Sequence, residues 1–398
     1  MDANWIYLDN NATTAPAPEV VAAVNDCLLN SWGNASSSHA VGQISKQKLV
    51  AARGAIAKFL GCKPAEAVFT SGATESNHMA ILGSLARGEK KRLVLSAGEH
   101  ASMQKLARQL AAGGYGGHAV QVDFIPVTPQ GTLDLAAAAQ LIRDDAALVS
   151  VMSANNETGV LMPVAEIAAL CKAAGVPLHV DATQSVGKLP FNFAESGADL
   201  VSVSAHKLHG PKGVGVLLMR SGLAWPALFA GSQERNRRGG TENLPGIAGF
   251  AAAAERLMNG AEKIPETAAR IAALRDRLEA GLKAALPGTV VFADGAPRLP
   301  NTLYLRFGAL DADVVLNRIE KLGVIASSGS ACSAGGSEPS ALLVAMGVPR
   351  DLALCAIRLS LSDATTDAEI ARVIEVIPAA LAPLLGEQSD PDGKQLAA

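Results

Sequence analysis

The feature that most constrains the fold is an alternation of short apolar runs with longer helical patterns between residues 16 and 220. The runs predicted as strands are 67–70, 92–96, 148–152, 178–180, 200–204 and 214–219. The stretches predicted as helices between them include 74–85, 103–112, 133–142 and 164–174. This alternation predicts an α/β fold with a mostly parallel sheet covered by helices on both faces.

Polar residues follow nearly every predicted strand. In five places they form loops with the sequences SGATES (71–76), EH (99–100), NNETG (155–159), DATQ (181–184) and HK (206–207). Because the carboxyl ends of parallel strands meet at one edge of a sheet, ligands bind in the crevice there. The five loops together predict a functional site at this edge.

The second half of the chain has a different pattern. A segment rich in Gly, Arg and Gln (231–243) precedes one long Ala-rich helical stretch (247–285), after which strands are predicted at 290–292, 303–307 and 357–361 and helices at 312–321 and 367–381. This pattern indicates a smaller α+β domain. A length of 398 residues also favours two domains. The predicted boundaries are 14–254 for the large domain, and 1–13 with 255–398 for the small one.

Composition and charge exclude several classes of function. The chain is 49% hydrophobic and 18% charged, with a formal net charge of -3, as in a soluble globular protein. It has no basic surplus for nucleic acid or an anionic membrane, and no apolar run long enough to span a bilayer. The N-terminus lacks the pattern of a signal peptide. We therefore expect a cytoplasmic protein with neither nucleic acid nor membrane as partner.

The cysteines predict one reactive thiol. There are five, widely spaced and without a CxxC pair, which argues against a disulfide framework or an intrachain zinc site. Cys27, Cys171 and Cys355 stand among aliphatic residues and are predicted to be small buried hydrophobes. Cys332 lies in the small-residue loop SSGSACSAGG (327–336), which indicates an exposed thiol that is free to react.

Four further residues suggest a bound cofactor. Lys207 ends a strand, Ala73 and Thr74 follow a glycine at a helix start where a phosphate would bind, and Asp181 follows another strand. A lysine, a phosphate cradle and an aspartate suit pyridoxal phosphate, since a carboxylate keeps its ring nitrogen protonated. Each has an ordinary reading in isolation: a surface lysine, a helix N-cap and a turn aspartate.

An ordered set of motifs resembles the cysteine desulfurases of the nitrogen-fixation and housekeeping iron–sulfur type. The motifs are LDNNATT (8–14), TSGATES (70–76), EH (99–100), NNETG (155–159), HVDATQSVGK (179–188), SAHKLHGPKGVG (204–215), QERNRRGGTEN (233–243), SSGSAC (327–332), EPS (338–340) and IRLSLS (357–362). The resemblance implies the pyridoxal-phosphate-dependent transferase fold of type I. In that fold a large domain with a mostly parallel seven-stranded sheet carries a smaller α+β domain.

The resemblance also implies a role for each matching residue. Lys207 would carry the cofactor, His100 would stack on its ring and shuttle protons, and Cys332 would accept the sulfur of L-cysteine as a persulfide. Asn156 and Arg358 would fix the substrate carboxylate. The residues implied to bind the cofactor are Ala73, Thr74, Asn156, Asp181, Gln184, Ser204, His206, Lys207 and Thr241, the last reaching in from the neighbouring subunit of a homodimer.

The implied reaction converts L-cysteine to L-alanine and passes the persulfide sulfur to an acceptor, with iron–sulfur cluster assembly as the expected use. No intrinsic metal is expected, although Cys332 could hold an iron–sulfur cluster transiently during transfer to a scaffold protein. The chain departs from the family pattern at Ser232, where a histidine is usual, at Ser333-Ala334, and in its tail after residue 387. Because of these departures, the sequence does not determine which molecule accepts the sulfur.

Four alternatives remain open at the level of sequence. The nearest is another pyridoxal lyase, above all a selenocysteine lyase, which can work without the mobile thiol. An aminotransferase would leave the SSGSAC loop unexplained. A sulfur-delivery or scaffold protein without catalysis would not need Lys207, Asp181 and His100. A metal site at His206 and His209 lacks a third ligand at a suitable spacing.

Overall fold

A computed structural model describes residues 5–113, 120–329 and 338–387. The strands are β1 (Ile6–Tyr7), β2 (Ala67–Thr70), β3 (Arg92–Ser96), β4 (Gln121–Ile125), β5 (Ala146–Met152), β6 (Leu178–Asp181), β7 (Leu200–Ser204), β8 (Gly215–Met219), β9 (Thr289–Val291), β10 (Thr302–Phe307), β11 (Val324–Ile325) and β12 (Ile357–Ser360).

The helices alternate with these strands in the first half and dominate the second. They are α1 (Pro18–Asn30), α2 (Ala40–Leu60), α3 (Ala73–Arg87), α4 (Ala101–Ala111), α5 (Leu135–Leu141), α6 (Val164–Ala174), α7 (Gln233–Asn236), α8 (Leu244–Asn259), α9 (Ile264–Ala285), α10 (Ala312–Glu320), α11 (Ala341–Ala345), α12 (Arg350–Ala353) and α13 (Asp367–Glu387). Among the described residues, no helix is long and apolar enough to cross a membrane.

The main sheet has seven strands within the described part of the chain, in the order β2-β8-β7-β6-β5-β3-β4. Only β8 among them runs antiparallel to its neighbours. The central strands are buried along their whole length, as expected of a parallel sheet covered on both faces. The predicted α/β fold with a mostly parallel seven-stranded sheet is confirmed.

Two of the buried clusters form separate cores around the main sheet and around α9. The first joins the sheet to α1, α2, α6 and α8, and the second joins β10 and β12 to α9, α10, α13 and the N-terminal Ile6 and Leu8. This separation supports the proposed domain division. The region 342–356 also contributes to the first core, so the two parts share an apolar boundary. The boundaries at 13/14 and 254/255 stay a prediction.

Two local predictions differ from the structure. The predicted helical stretch 247–285 is broken into α8 and α9, because Gly260 ends the first helix and Pro265, which has no N–H to donate, lies at the start of the second. The strand β4 was missed in the sequence. It lies at the edge of the main sheet and is partly exposed, so its residues form no continuous apolar run.

Candidate functional site

The carboxyl edge of the main sheet opens into a cavity of about 650 Å³. Its walls come from the loops after β2, β3, β5, β6 and β7, as the sequence predicts. The predicted site residues that line it are Ala73, Thr74, His100, Asn156, Asp181, Gln184, Ser204, His206, Lys207 and Arg358. Residues from six separate chain segments therefore meet in one cavity.

Lys207 lies in the short turn that follows β7. Its Nζ donates hydrogen bonds to the backbone carbonyls of Asn11 and Ala12, at 2.5 Å and 2.7 Å. Both acceptors belong to the N-terminal motif LDNNATT, which is distant in sequence. The tertiary fold thus holds the amine at the wall of the cavity.

Asp181 ends β6 and is buried, with its carboxylate on the cavity wall. Its Oδ2 accepts a hydrogen bond from Asn77 Nδ2 at 2.8 Å, and its Oδ1 accepts one from the backbone N–H of Thr183 at 3.0 Å. These donors fix the orientation of the carboxylate. The Oγ1 of Thr183 is buried beside it without a hydrogen-bond partner among the described residues.

His100 caps the start of α4, and this contact selects its tautomer. The backbone N–H of Ser102 donates to Nδ1 at 3.2 Å, so the proton of a neutral ring sits on Nε2. Burial lowers the pKa of His100; Asp181 opposes this shift, and Lys207 and Lys105 add to it. The ring is therefore neutral at neutral pH.

The start of α3 forms the anion-binding end of the cavity. Ala73 is the first helical residue, and no side chain caps this end of the helix. The first N–H groups of a helix have no intrahelical acceptor, so they are free to bind an anion. Gly72, which precedes them, has a φ of 151°, a conformation that side-chain-bearing residues rarely adopt. Ser204 Oγ lies close to it.

His206 and Lys212 lie at the same end of the cavity. Burial lowers the pKa of His206 to about 4, and the charges of Lys207 and Lys212 contribute to the shift. The His206 ring is therefore neutral at neutral pH. Its Nδ1 lies 3.1 Å from the hydroxyl of Thr13.

Arg358 lies on β12 and lines the same cavity. Its Nη2 contacts Asp9 at 2.7 Å and Ser327 at 3.0 Å, and its Nη1 donates to the backbone carbonyl of Asn156 at 2.9 Å. The Nε atom is buried and has no partner among the described residues. These three contacts use three of the five N–H donors of the guanidinium, and a planar cation with donors left over suits a small carboxylate ligand.

One described residue of the predicted site, Thr241, does not line this cavity. Thr241 is exposed and lines a smaller cavity of about 120 Å³, whose wall it shares with Ser71 and Gly213. Its predicted contact comes from a neighbouring subunit and stays a prediction. Cys332 lies outside the described residues.

The four described cysteines are free thiols without a reactive environment. Cys27, Cys171 and Cys355 are buried, as predicted. Burial raises the pKa of Cys62 and of Cys171 to about 12, so neither forms a thiolate at neutral pH. Within the described ranges, no three His, Cys, Asp or Glu side chains are grouped as a metal site.

Several site residues were not singled out from the sequence. Asn11, Asn77 and Lys188 all hydrogen-bond to cavity residues, and Asp9 pairs with Arg358. Three of them belong to motifs that mark the resemblance, but the motifs give no contacts. Only the fold shows which side chains they meet.

The residues fit pyridoxal phosphate on chemical grounds. The uncapped start of α3 offers N–H donors for a phosphate, the buried Asp181 offers a carboxylate for a ring nitrogen, and Lys207 lines the same cavity. The unpartnered Thr183 hydroxyl is a further polar group in the same cavity. A volume of about 650 Å³ is within the usual range for a cofactor site.

Comparisons with known proteins identify the family. The family model for aminotransferase class-V matches residues 6–373. Cysteine desulfurase 2 of Trichormus variabilis is 42% identical over 97% of this chain and 96% of its own length. Cysteine desulfurase NifS of Azotobacter vinelandii is 43% identical over 95% of this chain and 93% of its own. The chain belongs to the cysteine desulfurases of the class-V aminotransferase family.

A solved structure shares the fold of this cysteine desulfurase family member. A NifS-like protein superimposes with a TM-score of 0.86 and 33% sequence identity, over 95% of this chain and 99% of its own. The family is pyridoxal-phosphate dependent, in agreement with the chemistry of the cavity. The cofactor expected from Lys207, Asp181 and the start of α3 is thereby confirmed.

Proposed function

We propose that this chain is a pyridoxal-phosphate-dependent cysteine desulfurase that converts L-cysteine to L-alanine and holds the sulfur on Cys332 as a persulfide. The observation that carries the proposal is the meeting of Lys207, Asp181, His100 and Arg358 around one cavity. The chain's membership of the cysteine desulfurase family supports the choice of substrate.

The cofactor has a proposed partner at each end. The start of α3 with Thr74, Ser204 and His206 would bind its phosphate, Asp181 would pair with the ring nitrogen, and Gln184 would contact the ring hydroxyl. Lys207 would be the point of attachment. When bound, pyridoxal phosphate supplies an electron sink that stabilises negative charge on the α-carbon of the substrate.

The side chains then divide the remaining tasks. Arg358 and Asn156 hold the substrate carboxylate, and the Lys207 amine removes the α-proton. The Cys332 sulfur forms a bond to the substrate sulfur as the carbon–sulfur bond of the substrate breaks. The broken bond leaves its electron pair on the three-carbon remainder, which takes up the proton released by the Cys332 thiol, with His100 as the proposed shuttle. The remainder regains its α-proton from Lys207 and leaves as alanine.

The persulfide passes its sulfur to an acceptor by thiol exchange. Assembly of iron–sulfur clusters is the proposed use, with a scaffold protein as acceptor. A reducing compartment such as the cytoplasm is the proposed location, and the four free thiols among the described residues are consistent with it.

A homodimer with shared sites is part of the proposal. Exposed apolar side chains are concentrated in the first two helices and the turn between them, at Leu28, Leu29, Trp32, Ile44 and Val50. Arg53 on α2 forms an ion pair at 2.6 Å with Glu234, in the segment that carries Thr241. An apolar surface next to this segment supports a second copy of the chain as its partner.

Mixed dimers test the shared site. Variants Lys207→Ala and Thr241→Asp are each expected to be nearly inactive as homodimers. If Thr241 acts across the interface, a mixture refolded together regains activity, because one site of each mixed dimer keeps both residues. If an equal mixture of the two variants regained no activity after refolding, Thr241 would not act across the interface.

The main experiment follows alanine and sulfide release from L-cysteine with a reductant, for the wild type and for Cys332→Ala, after recording the visible spectrum. We expect a visible cofactor band in both proteins and cysteine turnover only in the wild type. If Cys332→Ala turned over cysteine as fast as the wild type, another pyridoxal lyase, such as a selenocysteine lyase, would be favoured. A colourless, inactive wild type would contradict the proposed function.

A further inference from the structure

A hydrogen-bonded network outside the proposed reaction lies between Lys207 and Gln184. Its centre is Asn11, which is 1% exposed. The backbone carbonyl of Asn11 accepts from Lys207 Nζ at 2.5 Å and from Gln184 Nε2 at 3.0 Å. One peptide group therefore contacts two residues that are proposed to touch the cofactor.

The side-chain amide of Asn11 has only one orientation that satisfies its neighbours. Its Nδ2 donates to the backbone carbonyl of Asn156 at 3.3 Å and to Thr302 Oγ1 at 2.9 Å. Its Oδ1 accepts from Lys188 Nζ at 2.7 Å and from Asn301 Nδ2 at 3.0 Å. All four hydrogen-bonding positions of this amide are used.

Lys188 connects this amide to that of Gln184. Its Nζ also donates to Gln184 Oε1 at 2.8 Å. The carbonyl of Asn11 can only accept, so it requires the nitrogen of Gln184 on its own side. The two contacts agree, and they leave the second N–H of Gln184 as the polar hydrogen that this side chain can offer to the cavity it lines.

We propose that Lys188 is a positioning residue that acts together with the Asn11 carbonyl, so that Gln184 presents an N–H donor, and not a carbonyl oxygen, to the ring oxygen of the cofactor. This inference rests on the proposed function. A donor at that position stabilises the ionised form of the ring oxygen, whereas an amide oxygen would repel it. The orientation of one side chain thus sets the electronic state of the bound ring.

The charge of Lys188 is not required for this role. Burial lowers the pKa of Lys188 well below its ordinary value, and the nearby charges of Lys207 and Arg358 lower it further. A neutral amine retains two hydrogens, enough for the contacts with Asn11 and Gln184. Lys188 also lines a second cavity, of about 330 Å³, on whose wall Lys207 lies as well.

The test compares Lys188→Met with Lys188→Arg, which keeps N–H donors. The measurements are the affinity for pyridoxal phosphate and the pH midpoint of its visible band. We expect Lys188→Met to lose roughly 10-fold in cofactor affinity, the effect of about one hydrogen bond. The midpoint should rise by about one pH unit, because the ring oxygen without its donor holds the proton more tightly.

Two further variants separate this role from a general structural one. Lys91→Met removes a lysine that also donates to two backbone carbonyls, those of Leu85 and Gly88, outside the site, and should leave the midpoint unchanged. Gln184→Leu removes the donor directly without adding a charge and should raise the midpoint as Lys188→Met does. The double variant should show no further rise, because both changes remove one interaction.

The outcomes are distinct. A wild type that binds the cofactor, with an unchanged midpoint in a folded Lys188→Met, overturns this inference and leaves the proposed function intact. The inference is also overturned if Lys188→Arg, which keeps N–H donors, raises the pH midpoint of the visible band by about one unit. This outcome decides the question even if Lys188→Met fails to fold. A wild type that binds no pyridoxal phosphate overturns the proposed function and the inference together.

Discussion

Arg358 combines an ion pair with an unused donor. Asp9 neutralises part of its charge, while Nε is buried without a partner among the described residues. Leaving a buried donor unpaired costs free energy, which a bound carboxylate would recover. Arg358 therefore combines a structural contact with a donor that fits the role proposed for it, binding of the substrate carboxylate.

Replacing Arg358 by Gln should lower kcat/KM for L-cysteine by about 100-fold, mainly through KM, and leave the visible cofactor band unchanged. Steady-state kinetics and absorbance check this. The single substitution also leaves Asp9 without its cation, so stability falls as well. Asp9→Asn combined with Arg358→Gln should restore the melting temperature but not KM. Recovery of KM in the double variant would show that the loss was structural.

The protonation of His100 depends on a nearby surface charge. Lys105 is exposed on α4 and lowers the pKa of His100. Replacing Lys105 by Met removes a repulsion that disfavours the protonated ring, so the pKa of His100 should rise. NMR titration of the ring in both proteins measures the shift. An equal or lower value in the variant would contradict the assignment of Lys105 as a contributor.

At the scale of elements, the start of α3 depends on backbone conformation more than on side chains. Gly72 adopts a φ of 151°, and a Cβ built there would meet only Ser204 Oγ at 3.7 Å. There is therefore room for a side chain at this position, but the backbone conformation of Gly72 would be strained in any other residue. The φ value turns the chain from β2 into α3 and leaves the N–H groups of Ala73 and Thr74 without a capping side chain.

Gly72→Ala should weaken pyridoxal phosphate binding by about 10-fold or more, since a strained backbone at this position costs about 1–3 kcal/mol. Titration of the apoprotein with cofactor measures the change. Gly88→Ala, at the other end of α3, is the matched control, because its φ is −166° and a Cβ there would meet open space. Equal affinity of the two variants would argue against α3 as the phosphate site.

At the scale of the whole molecule, Asp363 joins the two cores. Its carboxylate contacts Arg256 of α8 at 2.7 Å and His209 at 3.0 Å, while its backbone carbonyl accepts from Arg270 of α9 at 2.8 Å. Burial by itself would raise the pKa of Asp363, but the contacts with His209 and Arg256 outweigh it and lower this pKa below its ordinary value. His209 follows Lys207 by two residues, so this junction lies beside the site.

Replacing Asp363 by Asn should lower the free energy of unfolding at pH 7 by about 2 kcal/mol, because hydrogen bonds to a charged group are lost. A lowered pKa means that the carboxylate stabilises the fold fully above its unfolded-state pKa of about 4. This contribution disappears as the pH falls from there through the folded pKa. The difference in free energy of unfolding between wild type and variant should therefore become smaller below pH 4.

Urea unfolding at several pH values checks this prediction. Asp367→Asn is the control, because its partner Arg277 is exposed and such a pair contributes little. The electrostatic origin of the effect would be contradicted if wild type and Asp363→Asn differed in free energy of unfolding by the same amount at pH 7 and at pH 3.

The sequence by itself determined the fold class and the edge of the sheet at which the site lies. The alternation of β5, β6 and β7 with helices is a local property, and the polar loops after them follow directly from it. Lys207 and Asp181 were identified in this way, because each lies next to the end of a strand, whereas the role of His100 came from the resemblance to the family. Burial of Cys27, Cys171 and Cys355 followed from their apolar neighbours.

Only the tertiary structure decided which side chains meet across long separations. Asn11 contacts Gln184, Lys188 and Asn301, and Asp9 contacts Arg358 from 349 residues away. Local periodicity reports which face of an element is buried, but it contains no information on which distant polar groups will satisfy each other. That pairing is fixed when burial removes water and each donor needs an acceptor.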